Sequence, residues 1–108
     1  MDARSPPPRL ESLRSMYRKD PKDGFVAYGL ALELAKSPDT ADEAVATFRK
    51  LLEDASDYLP AYLQFGMLLA RRGEAGEARK VLAAGIALAA RSKDDHARSE
   101  LEAALAAL

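Results

Sequence analysis

The chain has 108 residues, of which 48% are hydrophobic and 31% charged, with no cysteine and no tryptophan. Sixteen basic and 17 acidic side chains leave a formal charge of −1, without the basic field that a nucleic-acid binder carries. The missing cysteine excludes disulfides, thiol catalysis and cysteine-based metal sites. Residues 1–10 lack the apolar stretch of a secretory signal, and the longest apolar run, Val81 to Ala90, is too short to span a bilayer. One cytoplasmic domain with a modest core is the expectation.

Residues 1–8 read as a flexible tail, because Ser5-Pro6-Pro7-Pro8 favours extended backbone, and the folded domain is expected over 9–108. A first helix carries Leu10, Leu13, Met16 and Tyr17 on one stripe and breaks at Asp20-Pro21-Lys22-Asp23. Its basic residues Arg14, Arg18 and Lys19, with Lys22 beyond, are diluted by Glu11 and Asp20 and read as a solvated face. A second helix starts with Asp23 as N-cap and runs to about Lys36, stopped by Ser37-Pro38.

The third helix opens on Thr40-Ala41-Asp42-Glu43, a capping-box pattern, and continues to about Asp54. Asp57 or Ser56 can cap the fourth, with Pro60 in its first turn and Gly73 at its end. The fifth covers about Glu74 to Ala90. A second box pattern, Ser92-Lys93-Asp94-Asp95, opens a sixth that places Ala97, Leu101, Ala104, Leu105 and Leu108 on one face. No segment alternates with period two, so the fold class is all-α, with about six helices.

The sequence also repeats itself. At an offset of 37, Phe25, Tyr28, Gly29 and Leu32 fall on Tyr62, Phe65, Gly66 and Leu69. At an offset of 34, Ala41, Ala44, Phe48 and Leu52 fall on Ala75, Ala78, Leu82 and Ile86. The three-residue difference is expected in the loop from Ser37 to Thr40, where an insertion rotates no packed face. Gly29, Gly66, Ala44 and Ala78 would let paired helices approach closely.

The pattern aromatic, x, x, large, Gly, x, x, Leu, then Gly, then Ala, x, x, x, large apolar resembles the tetratricopeptide repeat. Tyr62, Phe65, Gly66, Leu69, Gly73, Ala78, Leu82 and Ile86 carry it best, whereas Lys36 replaces the inter-helix glycine in the first copy. Full repeats are expected at about 23–56 and 57–90. Leu13, Met16 and Tyr17 match a second-helix half repeat, and the segment 93–107 reads as a solvating cap, with His96, Ser99 and Glu100 at motif positions. The whole resembles short free-standing bacterial tetratricopeptide proteins, which implies antiparallel helix pairs in a right-handed superhelical stack.

The second helix is apolar on two faces. Phe25, Tyr28, Gly29 and Leu32 form a stripe expected to meet the paired helix, and Val26, Leu30 and Leu34 form another. The resemblance implies that the second stripe lines a concave groove that holds a peptide or helix of another protein. The expected contact residues are Val26, Leu30, Leu34, Leu63 and Met67, with Glu33, Gln64 and Arg71 as polar neighbours. The same stripe could instead be intramolecular core, or be sealed by a second copy in a homodimer. Family members that grip a C-terminal carboxylate use Lys and Asn on the groove face, where this chain has Val26, Leu30, Leu63 and Met67.

No catalytic, cofactor or metal site is expected. His96 is the sole histidine, and neither a phosphate-binding glycine loop nor a hydrolase motif occurs. The expected role is a non-catalytic interaction module, with neither nucleic acid nor membrane as its partner.

Overall fold

The computed structural model describes residues 8–108, in which six α-helices follow one another and no strand occurs. They are α1 (Pro8–Lys19), α2 (Gly24–Leu34), α3 (Ala41–Asp54), α4 (Leu59–Arg71), α5 (Ala75–Arg91) and α6 (Asp95–Ala106), with a 3-10 turn, Pro38–Thr40, before α3. The helices group into two compact units, one ending at Asp54 and the other running Ala55–Leu108. Most of the expected Pro-rich tail, residues 1–7, lies outside the described residues. Pro8 is the first residue of α1, a position where its missing N–H costs nothing.

In the first unit α2 packs against both α1 and α3. Asp23 starts α2 as expected, its carboxylate accepting from the Phe25 and Val26 amides at 3.1 and 3.2 Å. The helix ends at Leu34, two residues short of the expected Lys36. Ser37 then caps the 3-10 turn, its hydroxyl accepting from the Asp39 amide at 3.3 Å. The capping box expected at Thr40 and Glu43 gives way to other bonds. Thr40 donates its hydroxyl to the Leu34 carbonyl at 2.6 Å, and Glu43 accepts from Arg14 at 2.9 Å. Starting the turn three residues early moves the capping role to Ser37.

In the second unit α4 packs on α5 and α6, and α5 on α6. Neither Ser56 nor Asp57 caps α4: the N-cap position is Tyr58, which makes no side-chain cap bond. Ser56 contributes its carbonyl instead, accepting from the Tyr62 hydroxyl at 2.6 Å. Gly73 ends the helix in the left-handed region at φ 79°. Its amide donates to the Ala70 carbonyl and that of Glu74 to Leu69, the paired closing bonds of a Schellman turn.

The end of α5 repeats that geometry with a lysine in the glycine position. Lys93 has φ 57°, its amide donates to Ala90, and the Asp94 amide donates to Ala89. Ser92 therefore belongs to the end of α5. The cap of α6 is Asp94, which accepts from the Ala97 amide at 3.0 Å. The expected box at Ser92 and Asp95 does not form the start of α6, because a turn with its own closing bonds separates Ser92 from that helix.

Burial also corrects the repeat register. Val26, Ala27, Leu30, Ala31 and Leu34 are buried, whereas Phe25 is 78% exposed. The buried set superposes on α4 at an offset of 35, with Ala61, Tyr62, Phe65, Gly66 and Leu69 as counterparts. Ala31, and not Gly29, is thus the small residue matching Gly66. With α3 and α5 related by 34, the first repeat carries one extra residue, in the 3-10 turn, and not three.

The glycines agree with this register. A Cβ on Gly66 would stand 2.5 Å from Leu82 of α5, so the α4–α5 crossing demands glycine there. A Cβ on Gly29 would meet only Leu13 of α1, at an ordinary 3.4 Å. The stripe expected to face α3 therefore turns, at Gly29, toward α1. Gly85 of α5, which the repeat comparison passed over, would meet Tyr62 at 2.7 Å and Leu101 at 3.0 Å. It lets α5 lie close to both its neighbours.

Candidate functional site

The rotated register decides which expected contact residues reach the surface. Val26, Leu30 and Leu34 are 7%, 2% and 0% exposed, so this stripe is core and corrects the expected contact face. An apolar helix packed between two others has both faces covered. Glu33 is held between cations: Arg9 approaches it at 2.8 Å and Lys36 at 2.7 Å. Leu63 and Gln64 are half-buried, and Leu63 packs against the core formed by Leu82, Ala89 and Leu101.

Met67 and Arg71 remain, and both open onto a cleft within the second unit. Its volume is about 460 Å³, and its walls are Gly66, Met67, Ala70 and Arg71 of α4 and Ala104, Ala107 and Leu108 at the end of α6. Leu82 of α5 forms part of the same lining. The cleft exists because its walls are small: alanines on both sides hold no bulk, and its floor is the buried pair Gly66 and Leu82. Met67 is 40% exposed and Leu108 38%. Arg71 is the sole charged residue of the lining, is exposed, and makes no ion pair with a described residue.

Met67 and Arg71 are among the expected contact residues; the α6 wall is not. Ala104 shares the apolar face of α6 with Leu101, and nothing in an alanine-rich helix end distinguishes a cleft wall from a packed face. Size, not polarity, makes this site.

Elsewhere the charges serve the helices. The Glu33 carboxyl lies below its ordinary value because Lys36 donates to it, with burial opposing and the Lys36 and Arg9 charges assisting. Asp54 is likewise lowered, first by the hydrogen bond from Lys50 and further by the charges of Lys50 and Lys22. The same bond raises Lys50. The Tyr62 hydroxyl is raised, chiefly by burial. Each is explained by a local partner or by packing.

No group of three or more His, Cys, Asp and Glu among the described residues could hold a metal ion. His96 is exposed and lies 3.4 Å from Glu100 one turn on. No helix among the described residues is long and apolar enough to cross a membrane.

Helix pairs that cross at small residues, with a Schellman turn between α4 and α5, define a helical-hairpin repeat protein. No protein-family model matches the chain, and no curated protein does. Among solved structures, a crystal structure of a tetratricopeptide repeat domain protein from Salinibacter ruber is 35% identical, with a TM-score of 0.70. It covers 77% of this chain and 91% of its own. The solution NMR structure of a tetratricopeptide repeat domain protein from the same organism is 36% identical, with a TM-score of 0.73. The match covers 80% of this chain and 86% of that one. At this identity and coverage the chain belongs to the tetratricopeptide repeat family.

Proposed function

We propose that the chain is a non-catalytic, cytoplasmic protein-interaction module that receives an apolar side chain of a partner helix or peptide in the cleft between α4 and α6. The observation that carries this reading is the cleft's lining: apolar side chains around it and at its margin one cation, Arg71, that pairs with none of the described residues. Exposed apolar surface with a polar edge is the usual mark of a protein contact. Met67 adds adaptability, since a flexible thioether chain repacks around differently shaped side chains. Family membership supports the same class of role. The near-neutral charge argues against nucleic acid.

The partner segment would place a leucine- or phenylalanine-sized group over Gly66 and Leu82, with an acidic residue beside it for Arg71. A displayed library of short peptides, panned in parallel on the wild-type chain and on Met67→Glu, tests this. The expected result is a set of apolar-acidic peptides retained by the wild type and lost by the variant. Enrichment that is absent, or identical on both proteins, would overturn the assignment of the cleft.

A further inference from the structure

We infer that, in the absence of another partner, the cleft is filled by Phe25 of a second copy of this chain. The inference rests on the reading of the α4–α6 cleft as a binding surface and adds its occupant.

Among the described residues four large hydrophobic side chains are exposed: Phe25 at 78%, Met16 at 49%, Met67 at 40% and Leu108 at 38%. Two of them, Met67 and Leu108, form the cleft. Phe25 is the most exposed of all and is a shape that the cleft can take. An apolar cavity of about 150 Å³ already holds benzene, and this one is about 460 Å³.

Phe25 is also presented rigidly. It lies in the first turn of α2, and its own amide is held by the Asp23 carboxylate at 3.1 Å. The corrected register explains why it stands free: its counterpart in α4 is Pro60, which is exposed as well. No packing role within the repeat holds an aromatic ring at this position.

The charges match. Asp20 and Asp23, both exposed, occupy the turn that leads into Phe25. Lys22 in that turn is drawn toward Asp54 at 4.0 Å. The cleft has Arg71 at its margin and no acidic residue in its lining. The Asp23 carboxylate, 3.1 Å from the Phe25 amide, is thus placed to meet the guanidinium at the edge of the apolar slot when the ring enters it.

Knob and slot are different surfaces, so the contact is heterologous: each copy offers one of each. Complementation between two defective copies is therefore a specific test. Light scattering over a hundredfold dilution would be measured on the full chain, on Phe25→Ala, on Met67→Glu and on an equal mixture of the two. Helicity would be monitored by circular dichroism. Both substitutions fall on exposed side chains.

The wild type is expected to exceed monomer mass when concentrated and to fall to it on dilution. Each variant alone should remain at monomer mass. Their mixture should regain about twice the monomer mass, because the Phe25 of one finds the intact cleft of the other.

A wild type at monomer mass throughout, or a Phe25→Ala chain that associates as the wild type does, overturns the inference. So does a mixture that stays monomeric when the wild type does not. Phe25→Ala retains the cleft, so its binding to Met67-dependent peptides separates the two readings. Peptide binding without self-association removes the Phe25 contact alone, and loss of both removes the cleft as a binding surface.

Discussion

Three glycines in the helices of this chain look alike in sequence and differ in what they permit. Gly66 and Gly85 sit where an added Cβ would stand 2.5 Å and 2.7 Å from a neighbouring helix's side chain. Gly66→Ala and Gly85→Ala should each destabilise by about 1–3 kcal/mol through overpacking. Gly29→Ala should instead be neutral or stabilising by up to about 1 kcal/mol, since its Cβ has room and alanine favours helix. Urea unfolding midpoints of the three variants check the order. A Gly29→Ala change as damaging as Gly66→Ala would return Gly29 to the helix crossing.

Gly73 and Lys93 make the complementary pair, both left-handed at the end of a helix with the same two closing bonds. A side chain in that conformation costs about 1–2 kcal/mol relative to the right-handed region. Lys93→Gly is therefore expected to raise the thermal midpoint, by the equivalent of about 1 kcal/mol, and Gly73→Ala to lower it similarly. The left-handed turn at Gly73 was legible because glycine marked it. At Lys93 no residue did, and the sequence pointed to Ser92 as a cap when Asp94 holds that place.

Helix existence was legible throughout, because turn and cap residues such as Pro21, Asp23, Pro38, Gly73 and Asp94 separate the apolar runs. Helix rotation was not. In α4 the repeat motif identifies the packed face, and Phe65, Gly66 and Leu69 are buried as the motif requires. In α2, residues 24–34 are apolar almost all round, so no stripe stands out, and matching Gly29 to Gly66 set the helix in the wrong phase. Alanine at 31 carries the small-residue role with no signal, as alanines occur throughout the chain. The same ambiguity hid Gly85 in an alanine-rich run and the α6 wall of the cleft.

Local ion pairs one turn apart give the elements a dependence on acid. Glu33 and Asp54 have folded values below their unfolded ones, first because Lys36 and Lys50 donate to them. Their contribution is thus present above the ordinary carboxylate range, near pH 4, and lost as pH falls through the lowered folded values. Lys50, raised by Asp54, contributes below its ordinary value and loses that contribution only in strong alkali. The thermal midpoint should fall between about pH 6 and about pH 3, more steeply at low salt. Glu33→Gln with Asp54→Asn should flatten that slope. An unchanged slope in the double variant would show that other carboxylates carry it.

At the scale of the whole molecule, the last helix of the second unit packs on both α4 and α5. α6 buries Leu101 against Leu82 and Ala89 while His96, Ser99, Glu100 and Ala103 remain exposed. One face of α6 completes the core, and the positions that match the repeat motif on its other face are polar or small. The cleft opens on this same unit. Leu63 and Met67, one turn apart on α4, separate the two functions of that helix. Leu63→Asp should reduce helicity because Leu63 packs on the core, whereas Met67→Glu should leave helicity unchanged.

The most direct measurement is a titration of a selected apolar-acidic peptide into the isotope-labelled chain, followed by amide NMR. Binding in the cleft predicts shifts concentrated at Met67, Ala70, Arg71, Ala104 and Ala107, abolished by Met67→Glu in a chain that stays folded. Shifts centred on other residues, or binding untouched by Met67→Glu, would contradict the assignment of this cleft as the interaction surface.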